Sequence, residues 1–149
     1  EADAVPPAPT VVDPAFRPEL VRDVAAVKQL LATGAAQLLD ARGAARFRGE
    51  APEPRAGLRG GHMPGALNTP FDSLIGPDGC MKFAAEVRDI FVASGLNLEN
   101  PVVTTCGSGV TASVLALGLA RLRRWDVPVY DGSWSEWGGR DDTEVVTGP

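Results

Sequence analysis

V-V-T-T-C-G-S-G-V-T-A, residues 102–112, joins a β-branched run to a glycine loop that opens into an apolar run reaching Leu122. Val102, Val103, Thr104 and Thr105 predict a buried strand, Gly107 to Gly109 a tight loop, and the residues from Thr111 a helix. Cys106 then falls at the carboxyl end of a strand, directly before a helix N-terminus. Such a place offers partial positive charge and unpaired backbone N–H groups. A thiol held there has a lowered pKa and is a ready nucleophile. The bland alternative is a buried structural cysteine, which the glycine loop and the helix right after it disfavour.

Working outward, the neighbouring segments alternate in the same way. Upstream, Val24, Val27 and Leu31 recur at helical spacing, with Asp23 placed to cap the helix and Gly34 to end it. Residues 37–41 (Q-L-L-D-A) read as a short buried strand. An Arg- and Glu-rich loop, residues 42–61, follows and is broken by Pro52, Pro54 and five glycines. Residues 66–68 form a short strand after the turn G-H-M-P-G. Residues 82–94 carry Phe83, Val87, Ile90 and Phe91 on one helical face, closed by Gly95. Downstream, the helix after the cysteine loop is apolar nearly all round and should be well buried. Arg121, Arg123 and Arg124 complement its negative end. Residues 127–130 predict another strand and residues 133–137 a helical turn, while residues 138–149 look loose apart from Val145 and Val146. Strands alternating with helices give an α/β fold, a parallel sheet of about five strands with helices on both faces. Ligands gather at the carboxyl edge of such sheets, where Asp40, Cys106 and Asp131 all fall.

Composition sets the outer limits. With 149 residues, 44% of them hydrophobic, the chain suits one globular domain. We divide it into a Pro-rich arm, residues 1–15, and a domain, residues 16–149. The net charge of -5 disfavours nucleic acid and anionic membranes as partners. No run reaches the ~20 apolar residues needed to span a bilayer. Two cysteines and a single histidine, His62, make neither a zinc site of the usual kind nor a disulfide framework. No metal and no organic cofactor is expected. A reducing cytoplasm is the simplest compartment for a working thiolate.

Chemistry narrows the loop further. Residues 107–111 can curl their N–H groups into an anion nest able to hold a thiolate, a persulfide or a phosphate. A cysteine-dependent phosphatase loop places an arginine after five intervening residues to grip phosphate in a bidentate way. Ala112 occupies that position, and the loop carries no cation. His62 in its turn, Asp40 and Asp131 at strand ends, and Trp134, Glu136 and Trp137 near the loop all read as structural groups. Cys80 reads as a bystander thiol.

C-G-S-G-V-T-A resembles the active-site loop of 3-mercaptopyruvate sulfurtransferases, in the rhodanese superfamily. D-A-R-G-A-A-R-F-R-G (40–49), E-P-R (53–55), G-H-M-P-G-A-L-N (61–68) and Y-D-G-S-W-S-E-W (130–137) support the resemblance, in the order of the catalytic second domain of a two-domain enzyme. The resemblance implies a rhodanese-like fold, Cys106 as the nucleophile that becomes a persulfide, and Ser108 as a participant in proton transfer. It implies that Arg46 and Arg55 bind the donor's carboxylate and carbonyl, with Gly107, Gly109, Val110 and Thr111 lining the donor site. The implied reaction moves sulfur from 3-mercaptopyruvate to a thioredoxin-like or small-thiol acceptor, or to cyanide, and releases pyruvate. Thiosulfate is the alternative donor. Thiosulfate-using relatives carry basic residues inside the ring, so the neutral ring here favours mercaptopyruvate. A sulfur-carrier or docking module without catalysis is the alternative class. The resemblance also implies an N-terminal rhodanese domain as partner in the same protein, contributing an acid–histidine pair, with the arm as the remnant of an interdomain linker.

Overall fold

The computed structural model describes residues 10–11 and 13–149. Residues 1–9 and 12 of the expected arm lie outside the described residues. The elements run β1 (Val21–Arg22), α1 (Val24–Thr33), β2 (Gln37–Asp40), α2 (Ala44–Phe47), β3 (Leu67–Asn68), α3 (Ala84–Ala93), β4 (Val102–Thr105), α4 (Ala112–Arg121), β5 (Val129–Tyr130) and α5 (Ser133–Trp137). The five strands form one sheet in the order β1-β5-β4-β2-β3, and every pairing is parallel.

The alternation of a two-sided strand sets the two cores. Along β2, Leu38 enters the core that holds Val27 of α1 and Trp134 and Trp137 of α5, whereas Leu39 enters the core built on α3 and α4. Val103 and Val102 of β4 divide in the same way. Helices therefore cover both faces, as a parallel sheet requires. Each such side chain contributes about 1.5–3 kcal/mol on burial. Helix α1 is capped as the sequence predicts: the Asp23 carboxylate accepts from the Ala26 N–H at 2.8 Å, and Gly34 closes the helix at φ +64°.

Five expectations need correction. Strand β1 is not visible in the sequence pattern, because its two residues carry no period. Residues 42–61 are not wholly a loop, since α2 lies within them. Phe83 does not join the buried face of α3; it precedes the helix and is 78% exposed. Helix α4, apolar nearly all round, is not buried all round, because Leu117 is 57% exposed. Of its basic end only Arg121 lies in the last turn; Arg124 donates instead to the carbonyls of Leu98 and Asn100 in the segment before β4.

The tail is the sixth correction. Residues 138–149 are pinned rather than loose. Arg59 donates to the carbonyls of Trp137, Gly138, Arg140 and Thr143 and to the Thr143 hydroxyl. Val146 forms an antiparallel bridge with His62, and the Trp137 indole N–H donates to the Glu144 carbonyl. No described helix is long and apolar enough to cross a membrane.

Candidate active site

The segments that follow β2, β4 and β5 meet around Cys106. Its side chain lies at the end of β4, and the residue is 1% exposed. Gly109, at φ +85°, reverses the chain immediately after it. A Cβ on Gly109 would stand 3.0 Å from the Asp131 carbonyl, so the loop closes this tightly only with glycine there. Burial pushes the Cys106 thiol up. The Thr111 hydroxyl and the N–H groups of Ser108, Ala112 and Thr111 outweigh that effect, and the net pKa is lowered. The Ser108 N–H stands 3.4 Å from Sγ. The thiolate is thus stabilised by neutral donors, as the anion nest predicts.

Helix α5 fastens the loop from behind. The Cys106 N–H donates to the Ser133 hydroxyl at 3.2 Å, and that hydroxyl donates to the Tyr130 carbonyl at 2.8 Å. Ser133 takes φ +49°, an uncommon conformation for a side-chain-bearing residue. The N–H groups of Trp134 and Ser135 donate to the carbonyls of Cys106 and Gly107, both at 2.9 Å. Trp134 is fully buried and lies under the Arg42 guanidinium, 4.1 Å from the ring centroid.

The arginines arrive from α2 and the segment after it. Asp40 binds Arg42 with both carboxylate oxygens, and Arg42 reaches on to Glu53 at 2.8 Å. Glu53 in turn holds Arg46, Nη2 to Oε2, at 2.5 Å. Asp40, Arg42 and Glu53 have side chains at most 2% exposed, while Arg46 is 30% exposed. Two carboxylates balance two guanidiniums, so the burial is compensated. Arg46 emerges against Gly107, where an added Cβ would meet its Nη2 at 3.1 Å. Arg55 approaches from the exposed side, donating to the Ser135 hydroxyl at 2.7 Å.

Cys106, Gly107, Ser108, Val110, Thr111, Arg46 and Arg55 line one pocket, together with Glu53, Pro54, Leu58 and Ser135. Its volume of about 260 Å³ is below the ~300–1,000 Å³ of sites for drug-sized ligands and suits a small acid. Gly109 is buried behind the pocket and shapes the loop rather than forming the wall. Ser108 and Val110 stand on the exposed rim, Val110 at 73%. His62 is buried, stacked on Phe47 at 3.8 Å and bonded through Nδ1 to the Phe47 carbonyl. Its reading as a structural residue holds. Cys80 is exposed on a separate turn. Among the described residues, no three His, Cys, Asp or Glu side chains come together as a metal site.

Arg42, Glu53, Ser133 and Ser135 escaped the reading of the sequence as site residues. Each lies inside a segment that carries the resemblance, but none is next in sequence to the group it serves.

Comparisons with known proteins point the same way. The family model described as "Rhodanese-like domain" matches residues 23–140. The chain is 48% identical over 131 residues to the 3-mercaptopyruvate sulfurtransferase of Escherichia coli K12, covering 88% of this chain and 46% of the relative. It is 42% identical over 130 residues to the thiosulfate/3-mercaptopyruvate sulfurtransferase 1, mitochondrial, of Arabidopsis thaliana, covering 87% of this chain and 34% of the relative. The crystal structure of the E. coli 3-mercaptopyruvate sulfotransferase SseA superposes with a TM-score of 0.69 at 45% identity, over 82% of this chain and 45% of that one. The chain therefore spans less than half the length of these relatives.

Proposed function

The chain belongs to the rhodanese-like domain family, and from that membership we propose that it transfers sulfur from 3-mercaptopyruvate through a persulfide on Cys106. The observation that carries the reading is the pocket itself. A buried thiol with a lowered pKa forms its base, and two arginines of different origin stand at its walls. The names of the E. coli and Arabidopsis relatives support the donor.

In the proposed reaction, the Cys106 thiolate attacks the thiol sulfur of the donor and forms an S–S bond. The donor's C–S bond breaks, and its electron pair leaves on the three-carbon fragment as the enolate of pyruvate. The proton lost by the donor thiol is the one gained at the enolate carbon. Cysteine persulfide and pyruvate are the balanced products. Arg46 and Arg55 present guanidinium forks to the planar 2-oxo acid, a match of geometry and charge that lysine lacks. The loop N–H groups that favour the thiolate also favour the persulfide anion. Ser108, on the rim, is the candidate for moving the proton.

The persulfide's outer sulfur passes to a thioredoxin-like protein, a small thiol or cyanide, regenerating the thiolate. An N-terminal rhodanese domain completing the outer wall of the pocket is consistent with the match covering only 46% of the E. coli relative. The cytoplasm remains the simplest compartment, because it keeps both thiols reduced.

The test is pyruvate release from 3-mercaptopyruvate with cyanide as acceptor, compared with thiosulfate as donor. Turnover with mercaptopyruvate exceeding that with thiosulfate is expected, and Cys106→Ser should abolish both. Preference for thiosulfate would replace the donor assignment, and undiminished activity in Cys106→Ser would remove the mechanism.

A further inference from the structure

The two arginines of the pocket are held by opposite means. Arg46 is neutralised where it stands by the buried Glu53 carboxylate. Arg55 forms no ion pair among the described residues. Its Nη1 is instead ordered by the neutral hydroxyl of Ser135, at 2.7 Å. That hydroxyl spends its single proton on the Gly107 carbonyl at 2.5 Å, which leaves a lone pair facing the guanidinium. Both bonds run in the same sense, so each polarises the other favourably. The Ser135 backbone N–H donates to the same Gly107 carbonyl at 2.9 Å.

We propose that Ser135 is a positioning residue that fixes Arg55, with its charge uncompensated, at a set distance from the Cys106 sulfur and thereby determines affinity for an anionic donor. The physical problem is specific. A long, exposed side chain loses considerable rotamer entropy when it is ordered. A carboxylate would order it but would cancel the field that attracts the donor. A hydroxyl anchored on the residue next to the nucleophile orders it and leaves the charge free. Arg46 then supplies shape and hydrogen bonds beside Gly107, while Arg55 supplies the net charge.

The proposal rests on the reading of Arg55 as a binder of the donor carboxylate, and the test separates the two. Single-turnover persulfide formation on Cys106 is followed by mass spectrometry against 3-mercaptopyruvate concentration. This is done for the unaltered chain, Ser135→Ala, Ser135→Thr and Arg55→Gln. Alkylation of Cys106 by iodoacetamide, a neutral probe, is followed against pH in the same proteins. We expect Ser135→Ala to raise the half-saturating donor concentration about five- to tenfold, the scale of one ordinary net hydrogen bond. The rate at saturation stays within about twofold, the alkylation profile keeps its midpoint, and Ser135→Thr restores the affinity. An unchanged half-saturation in Ser135→Ala, with Arg55→Gln still raised, overturns the proposal and leaves the donor assignment standing. A shifted alkylation profile in Ser135→Ala also overturns it, because Ser135 would then act on the loop. If Arg55→Gln itself changes nothing, or the unaltered chain shows no saturable reaction, the carboxylate reading falls and the proposal falls with it.

Discussion

Replacing Thr111 by Val removes one hydroxyl from the set that stabilises the Cys106 thiolate while keeping the side chain's shape. The lowered pKa of Cys106 is a balance, with burial raising it and four donors lowering it. The Thr111 hydroxyl is the strongest of those donors. A net hydrogen bond contributes about 1 kcal/mol, and up to about 3 kcal/mol where one partner is charged. Since ~1.4 kcal/mol is a factor of ten in an equilibrium constant, Thr111→Val should lower the thiolate equilibrium constant by at least about fivefold, and by about a hundredfold at the upper end of that range. Iodoacetamide reads this directly, because only the thiolate reacts. Alkylation of Cys106 rises with pH, with its midpoint below that of an ordinary thiol in the unaltered chain. In Thr111→Val the whole curve moves to higher pH, with the plateau nearly preserved. Thr111→Ser, which keeps the hydroxyl, stays close to the parent. A profile unmoved in Thr111→Val would refute the reasoning, since burial alone would then have to be offset by the backbone.

Gly109→Ala forces a Cβ into a left-handed turn and to 3.0 Å from the Asp131 carbonyl. It should cost about 1–3 kcal/mol in denaturant unfolding and depress Cys106 alkylation more than global stability. Arg59→Ala removes the guanidinium bonds to the carbonyls of Trp137, Gly138, Arg140 and Thr143 and to the Thr143 hydroxyl. Amide hydrogen exchange over residues 138–149 should accelerate markedly, with exchange in β2 and β4 little changed. Leu115→Ala empties a fully buried site of the core beneath the cysteine loop. A loss of about 2–5 kcal/mol is expected from urea melts, where a loss under about 1 kcal/mol would mean that the core had collapsed to fill the space.

The strands and helices that carried a strong local pattern were legible. β4 is buried on both faces and its sequence is a continuous β-branched run, β2 sends Leu38 and Leu39 to opposite faces, and α1 carries both its cap and its terminating glycine. β1 and α2 are short and hold their shape through neighbours. Phe83 shows how position overrides period: it matches the helical spacing but sits one residue before the helix, where the face has not yet turned inward. The pinned tail escaped notice because one arginine fastens it through carbonyl groups, which leave no trace in side-chain pattern.

The same division runs through the site. Cys106 could be read from residues 102–112 because strand, loop and helix are contiguous. Arg46 and Arg55 came through resemblance, since nothing in their local sequence separates them from solvated charge. Ser135 serves Arg55 from 80 positions away, and Glu53 lies 11 positions from Arg42. Such pairings exist only once the sheet has brought its carboxyl-edge turns together.

The central claim is that Cys106 is the atom on which sulfur rides. Intact-mass and peptide mass spectrometry after brief exposure to 3-mercaptopyruvate, without reductant, tests it most directly. The account predicts the mass of one added sulfur on the peptide containing Cys106, its removal by cyanide, and its absence in Cys106→Ser. Added sulfur on Cys80 alone, or none on Cys106 while pyruvate is released, would contradict it.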